Sequence, residues 1–186
     1  MKHVCVFCGS SSGHPGSYAH AARTLGAQLA ANGLTLVYGG GNVGLMGILA
    51  DACLAAGGEV IGVIPEHLVS RELAHHGISK LIRVDSMHER KQRMADLSDS
   101  FLALPGGIGT MDEFFEIFTW LQLGLHHKPI GILNVEGFFD PLLQLLERMT
   151  DAGFLKVHTK SRLHVGTDSA NLLQVLATAS RRHHPE

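Results

Sequence analysis

The 186-residue chain predicts an α/β fold: a Rossmann-like doubly wound parallel sheet with helices on both faces. Three observations carry this. Short apolar runs alternate with helical segments along the whole chain, the order expected of repeated βαβ units. The runs are almost continuously apolar rather than alternating with polar residues, as strands covered on both faces are. Glycine clusters follow several of the strands, at the carboxyl ends where such sheets hold ligands. One domain over residues 1–180 accounts for the pattern, with residues 181–186 as a frayed tail.

The elements follow in order. His3 to Cys8 reads as a buried strand closed by Gly9-Ser10-Ser11-Ser12-Gly13. Ser17 opens a helix carrying Ala21, Ala22, Leu25, Leu29 and Ala30, and Asn32-Gly33 stops it. Leu34 to Tyr38 is a strand, Leu45 to Ala56 a helix, and Glu59 to Ile64 a strand ended by Pro65. After a loop come a strand at Lys80 to Val84 and a helix from Ser86 through Leu97. The rest reads as strand Ser100 to Leu104, helix Thr110 to Leu123, strand Pro129 to Leu133, helix Phe138 to Ala152, strand Leu163 to Val165 and helix Asp168 to Ser180.

Composition narrows the function. The net charge is −2, and the positive charge gathers at Arg90-Lys91-Gln92-Arg93, which suits a small anion and predicts no nucleic-acid partner. Thirteen histidines are scattered without HExxH spacing, so no metal site is expected. Cys5 and Cys8 form a CxxC inside a strand, where positions three apart face opposite sides, so both read as buried thiols. No secretory signal and no membrane-spanning run is visible, and a cytoplasmic protein without membrane association is expected.

Two glycine loops stand out. Gly39-Gly40-Gly41-Asn42-Val43-Gly44-Leu45-Met46-Gly47 joins a strand to a helix, and Pro105-Gly106-Gly107-Ile108-Gly109-Thr110 does the same. Such loops let backbone N–H groups approach an anion at a helix start, although a tight βα turn also uses glycine. Gly39, Gly41 and Gly44 also match GxGxxG, with Glu66 near the end of the next strand but after a Pro rather than ending the strand itself, which keeps a nicotinamide-dinucleotide oxidoreductase open as an alternative. A simple dinucleotide fold has no use for the second loop. Thr110-x-x-Glu113 has the spacing of a capping box, a complete structural account of Glu113; the other reading turns Glu113 into the ligand cleft to act on a sugar. Ser86-x-x-Glu89 is a second capping box. It launches Arg90, which either lies on a solvated basic face or enters the cleft to meet phosphate or Glu113.

Taken together, Gly39-Gly40-Gly41-x-x-Gly44-Leu45-Met46-Gly47, Met87-His88-x-Arg90-Lys91 and Pro105-Gly106-Gly107-x-Gly109-Thr110-x-x-Glu113 resemble the "Lonely Guy" family of cytokinin riboside 5′-monophosphate phosphoribohydrolases, many of which have been mislabelled lysine decarboxylases. The resemblance extends from Val4 to about Val165. It implies a homodimer that cleaves N6-substituted adenosine 5′-monophosphates, and AMP, to free base and ribose 5-phosphate. It implies Arg90 and Glu113 as catalytic residues. It implies substrate binding by Gly39, Gly40, Gly41, Gly44, Gly47, Met87, Lys91, Gly106, Gly107, Gly109 and Thr110. Asp112 stands where many members carry Glu. Cleavage passes through an oxocarbenium-like sugar, which a carboxylate at Glu113 stabilises while it activates water. That chemistry requires no metal or cofactor. A nucleotide carrier on the same fold is the non-enzymatic alternative.

Overall fold

A computed structural model of the chain describes residues 1–69 and 73–183. Seven strands form one sheet: β1 (His3–Phe7), β2 (Thr35–Tyr38), β3 (Val60–Pro65), β4 (Lys80–Val84), β5 (Ser100–Ala103), β6 (Ile130–Leu133) and β7 (Leu163–Gly166). Their spatial order is β4-β3-β2-β1-β5-β6-β7, and every pairing is parallel. The connecting helices are α1 (Ser17–Ala31), α2 (Gly44–Ala55), α3 (Glu66–Val69), α4 (Met87–Leu97), α5 (Ile108–Gln122), α6 (Asp140–Asp151), α7 (Val157–Lys160) and α8 (Ser169–His183). Of these, α3 and α7 are single turns inside stretches the sequence reads as loops, too short for a 3.6-residue period to register.

The pleat divides the core into two layers. Val4 and Val6 face Leu25 and Leu29 of α1, Leu45 and Leu49 of α2 and Leu172 and Leu176 of α8. Cys5 and Phe7 face Met94 of α4, Phe114 and Phe118 of α5 and Leu146 of α6. Cys8 lies in the first layer and Cys5 in the second, so the CxxC is split by the sheet, and all three cysteines are free and buried. Each fully buried Leu or Phe contributes about 1.5–3 kcal/mol, and these two layers are the main source of stability.

Strand order reverses between β1 and β5. The chain leaves β1 toward one face and β5 toward the other, which opens a crevice at their carboxyl ends. Backbone bonds tie the crevice loops together: the Gly9 N–H donates to the Pro105 carbonyl (3.2 Å), and the Met46 N–H donates to the Gly9 carbonyl (3.3 Å).

One sequence expectation is corrected. The helix after β5 begins at Ile108, so Thr110 is not its N-cap. Extended Gly107 takes that place, and its carbonyl accepts from the Met111 N–H (3.2 Å) to close the first turn. The Thr110–Glu113 capping box therefore does not form, and Glu113 falls in the second turn. At the other end, α8 continues through His183, past the start of the expected tail at 181; residues 184–186 lie outside the described residues. At the second capping-box sequence Ser86 does cap its helix, while Glu89 bonds the N–H of the preceding residue rather than that of Ser86. Ser86 Oγ accepts from the Glu89 N–H (3.1 Å), and Glu89 reaches back to the Asp85 N–H (2.9 Å).

Candidate active site

A cavity of about 330 Å³ occupies the crevice at the carboxyl ends of β1, β2, β3 and β5. Its floor is an ion pair. Arg90 on α4 and Glu113 on α5 approach to 3.2 Å, and each residue is only 9% exposed. Arg90 is fixed on three sides: Nε donates to the Val63 carbonyl (3.1 Å), Nη2 to the Gly39 carbonyl (3.3 Å), and Nη1 pairs with Glu113 Oε1. Two strand ends therefore aim the guanidinium, and the guanidinium aims the carboxylate. Burial pushes the Glu113 carboxyl above its usual range, with Arg90 pulling against it. Removing either partner of such a pair strands a charge and costs about 3–5 kcal/mol.

The first glycine loop is shaped by the protein's own packing. A Cβ on Gly39 would lie 1.8 Å from Arg90 Nη2, so glycine here admits the guanidinium. Gly44 has φ +59°, and a Cβ there would lie 2.3 Å from the Ser10 carbonyl carbon, where the loops after β1 and β2 touch. Gly106 in the second loop behaves likewise, against Thr110 Oγ1 at 2.1 Å. Gly107 and Gly109 differ. A Cβ on either meets nothing within 4 Å, neither has positive φ, and both line the cavity. Their missing side chains leave room beside the backbone N–H groups of the α5 start.

The residues expected from sequence therefore separate. Gly39, Gly41, Arg90, Gly107, Gly109, Thr110 and Glu113 line the cavity together. Gly40, Gly44, Gly47, Met87, Lys91 and Gly106 are not among the lining residues. Met87 lies beside Arg90, its Sδ 4.0 Å from Nη1. Lys91 turns to the flank of α5, where Nζ is 3.2 Å from both Asp112 and Glu116, and these carboxylates raise its pKa against the opposing effect of burial. Glu66, needed by the dinucleotide reading, pairs instead with Arg83 at the β3–β4 edge (3.2 Å) and is not a lining residue.

Sequence reasoning missed an apolar wall of Val43, Met46, Ile64, Leu68, Leu73 and Ile108, together with Cys8 and Ser10. The Ser-rich run after β1 was the available signal for Ser10. Nothing local marks Leu73, which backbone pairing brings in: the Asn42 N–H donates to its carbonyl (2.8 Å), and the His75 N–H donates to the Gly40 carbonyl (2.9 Å). His75 holds that segment further through Asp51 (2.9 Å). Ile108 is 86% exposed at the cavity rim.

A larger cavity, about 480 Å³, lies near the amino ends of β6 and β7. It is lined by Lys128 and Arg162 but by no carboxylate, so volume does not choose between the two. The buried Arg–Glu pair does. Among the described residues, no group of three or more His, Cys, Asp or Glu has the arrangement of a metal site, and no helix is long and apolar enough to cross a membrane.

Comparison with known proteins shows the family. A family model described as "Possible lysine decarboxylase" matches residues 46–176. The cytokinin riboside 5′-monophosphate phosphoribohydrolase LOG2 of Arabidopsis thaliana is 43% identical over 98% of this chain and 86% of its own length. The corresponding LOG enzyme of Oryza sativa subsp. japonica is 47% identical over 83% of this chain and 64% of its own. Among solved structures, the molybdenum cofactor binding protein from Rippkaea orientalis aligns with a TM-score of 0.73 at 20% identity, covering 96% of this chain and 97% of that one. The Moco carrier protein from Chlamydomonas reinhardtii aligns at 0.71 and 20%, covering 97% and 98%. At that identity the two structures speak for the fold. The near-full-length similarity at 43% identity speaks for more: the chain belongs to the cytokinin riboside 5′-monophosphate phosphoribohydrolase family.

Proposed function

We propose that the protein hydrolyses the N-glycosidic bond of N6-substituted adenosine 5′-monophosphates, and of AMP, releasing free base and ribose 5-phosphate. The observation that carries this is the buried Arg90–Glu113 pair on the floor of a cavity whose rim is a helix start with two unobstructed glycines. The 5′-phosphate lies against the N–H groups at the start of α5, near Gly107, Gly109 and Thr110, where the helix end favours an anion. The ribose then lies over Glu113. As the C–N bond breaks, the base leaves with the electron pair and positive charge develops on the sugar; the Glu113 carboxylate stabilises that charge and takes a proton from the attacking water, and the proton passes on to the departing base nitrogen, which releases neutral base and restores the carboxylate. Arg90 keeps Glu113 in place and favours its ionised form against the effect of burial. The apolar wall of Leu68, Leu73 and Ile108 receives the base and its N6-substituent. Phosphate bound away from the scissile bond contributes to catalysis by fixing the sugar.

A pyridoxal-dependent decarboxylase, as the family model's description suggests, needs a neutral lysine beside the cofactor. Lys91 is held as an ammonium by two carboxylates, and Lys128 donates to the Ala95 carbonyl (2.7 Å) near the amino end of β6. Neither lines the cavity, and the residues here do not fit that cofactor.

We further infer a homodimer working in the cytoplasm. Exposed Leu123 and Leu125 beyond the end of α5 are apolar surface that a second copy would cover. Light scattering of the purified protein measures its mass, and a monomer at micromolar concentration refutes the dimer.

The test of activity is incubation with AMP and with N6-isopentenyl-AMP, following free base and ribose 5-phosphate by chromatography. Release of base that disappears in Glu113→Gln supports the reading. Nucleotide binding without release of base replaces it with a carrier.

A further inference from the structure

Leu73 belongs to the apolar wall of the cavity but lies outside the named strands and helices. Its neighbours hold it in place. The Asn42 N–H donates to the Leu73 carbonyl (2.8 Å), the His75 N–H donates to the Gly40 carbonyl (2.9 Å), and Gly41 and Ala74 form an antiparallel bridge between these bonds. Further on, Ile78 packs against β3, where a Cβ on Gly62 would lie 2.6 Å from Ile78 Cδ1.

The His75 ring adds a fastening that the backbone does not supply. His75 is only 7% exposed. The Gly77 N–H donates to Nδ1 (3.1 Å), which leaves the ring proton on Nε2, and Nε2 donates to Asp51 Oδ1 on α2 (2.9 Å). Gly77 also makes room for the ring, because a Cβ there would lie 3.2 Å from Cε1. Both ring nitrogens are therefore taken up by the protein, and the pair joins α2 to the chain two residues after Leu73.

We propose that His75 and Asp51 are positioning residues that set the place of Leu73 and, through it, the preference of the site for N6-substituted over unsubstituted adenosine 5′-monophosphate. The proposal rests on the reading of the apolar wall given above. The N6-substituent is the part of the substrate that AMP lacks, so a displaced wall weakens the one nucleotide and spares the other. Phosphate and ribose, held at the start of α5 and over Glu113, are common to both.

The experiment measures kcat and KM, and affinity by calorimetry, for AMP and for N6-isopentenyl-AMP. The variants are Leu73→Ala, Asp51→Ala, Asp51→Asn and the double variant Leu73→Ala/Asp51→Ala, each checked for folding by circular dichroism. The Asp51 side chain is 67% exposed, so its loss leaves the core intact. Leu73→Ala and Asp51→Ala should each raise KM for N6-isopentenyl-AMP about tenfold, with KM for AMP and both kcat values within about twofold of wild type. Asp51→Asn keeps an oxygen that accepts from Nε2 and should restore the wild-type preference. The double variant should lose little more than Leu73→Ala alone, because the two residues act through one contact. An equal effect of Asp51→Ala on the two nucleotides, no effect on either, or full additivity in the double variant overturns the proposal. If Asp51→Ala does not fold, His75→Phe decides, and an unchanged preference overturns it. Failure of the phosphoribohydrolase reading shows separately, as wild-type protein that binds the nucleotides and releases no base. The affinities then carry the same comparison, and equal weakening of both nucleotides by Asp51→Ala, or of neither, overturns the proposal. Wild-type protein that binds neither nucleotide overturns both.

Discussion

The two glycine loops look alike in sequence and do different work. In the loop after β2, the protein itself accounts for the glycines: Gly39 makes room for Arg90, Gly41 for Met46, and Gly44 for the backbone of Ser10. In the loop after β5, Gly106 is packed against Thr110, but Gly107 and Gly109 border empty space. The first loop is filled by the protein's own atoms, and the second leaves open space beside a helix start. A glycine-rich loop therefore supports a ligand only where nothing in the protein fills the place of the missing side chain.

The largest expected effect lies at the pair the first loop builds. Glu113→Gln should lower kcat by about 10²–10⁴ while nucleotide affinity, measured by calorimetry, changes little. Retention of wild-type turnover would remove Glu113 from the mechanism. Gly39→Ala comes next, because its Cβ displaces the Arg90 guanidinium. Destabilisation by about 1–3 kcal/mol in urea titrations should accompany a loss of activity of about a hundredfold. If the variant melts normally and remains active, the guanidinium is not where catalysis needs it.

The second loop should behave in the opposite sense. Gly107→Ala should leave stability within about 0.5 kcal/mol, since the added methyl meets nothing, yet raise KM for AMP several-fold. Gly109→Ala, inside the first turn of α5, should stabilise the fold by up to about 1 kcal/mol while also raising KM. Unchanged KM in both variants would move the phosphate elsewhere. The smallest effect is in pH dependence. The folded Glu113 carboxyl titrates above its usual value of about 4.3 because it is buried. A step that needs the carboxylate then falls as pH drops through that raised value, so the acid limb of kcat should lie on the neutral side of about 4.3. Activity that instead falls as pH rises through this range would mean that Glu113 works protonated.

Much of the fold was legible because it depends on local pattern. The apolar runs from His3, Leu34, Glu59, Lys80, Ser100, Pro129 and Leu163 all became strands of one parallel sheet, with ends shifted by a residue or two. Ser86-x-x-Glu89 was read correctly as a cap because nothing nearby competes for the helix start. Thr110-x-x-Glu113 has the same spacing and failed because Gly107, three residues earlier, was free to adopt the extended N-cap conformation. Spacing proposes a cap; the preceding backbone decides whether it forms. The Lys91 side chain lies apart from the cavity lining for a related reason. It is adjacent in sequence to a cavity residue, but adjacent positions on a helix point about 100° apart.

By itself the sequence determined the strand and helix order, the parallel sheet, the two loops at its carboxyl edge, and Arg90 and Glu113 as the residues to watch. The elements, sheet and loops follow from periodicity and turn chemistry, which act over a few residues, and Arg90 and Glu113 from the resemblance to a known family. Tertiary structure decided that β1 and β5 are neighbours, that carbonyls from Gly39 and Val63 hold Arg90 against Glu113, and that Leu73 forms part of the wall. Those contacts join residues tens of positions apart, and they arise only when burial of both faces of the sheet brings the helices and loops into register.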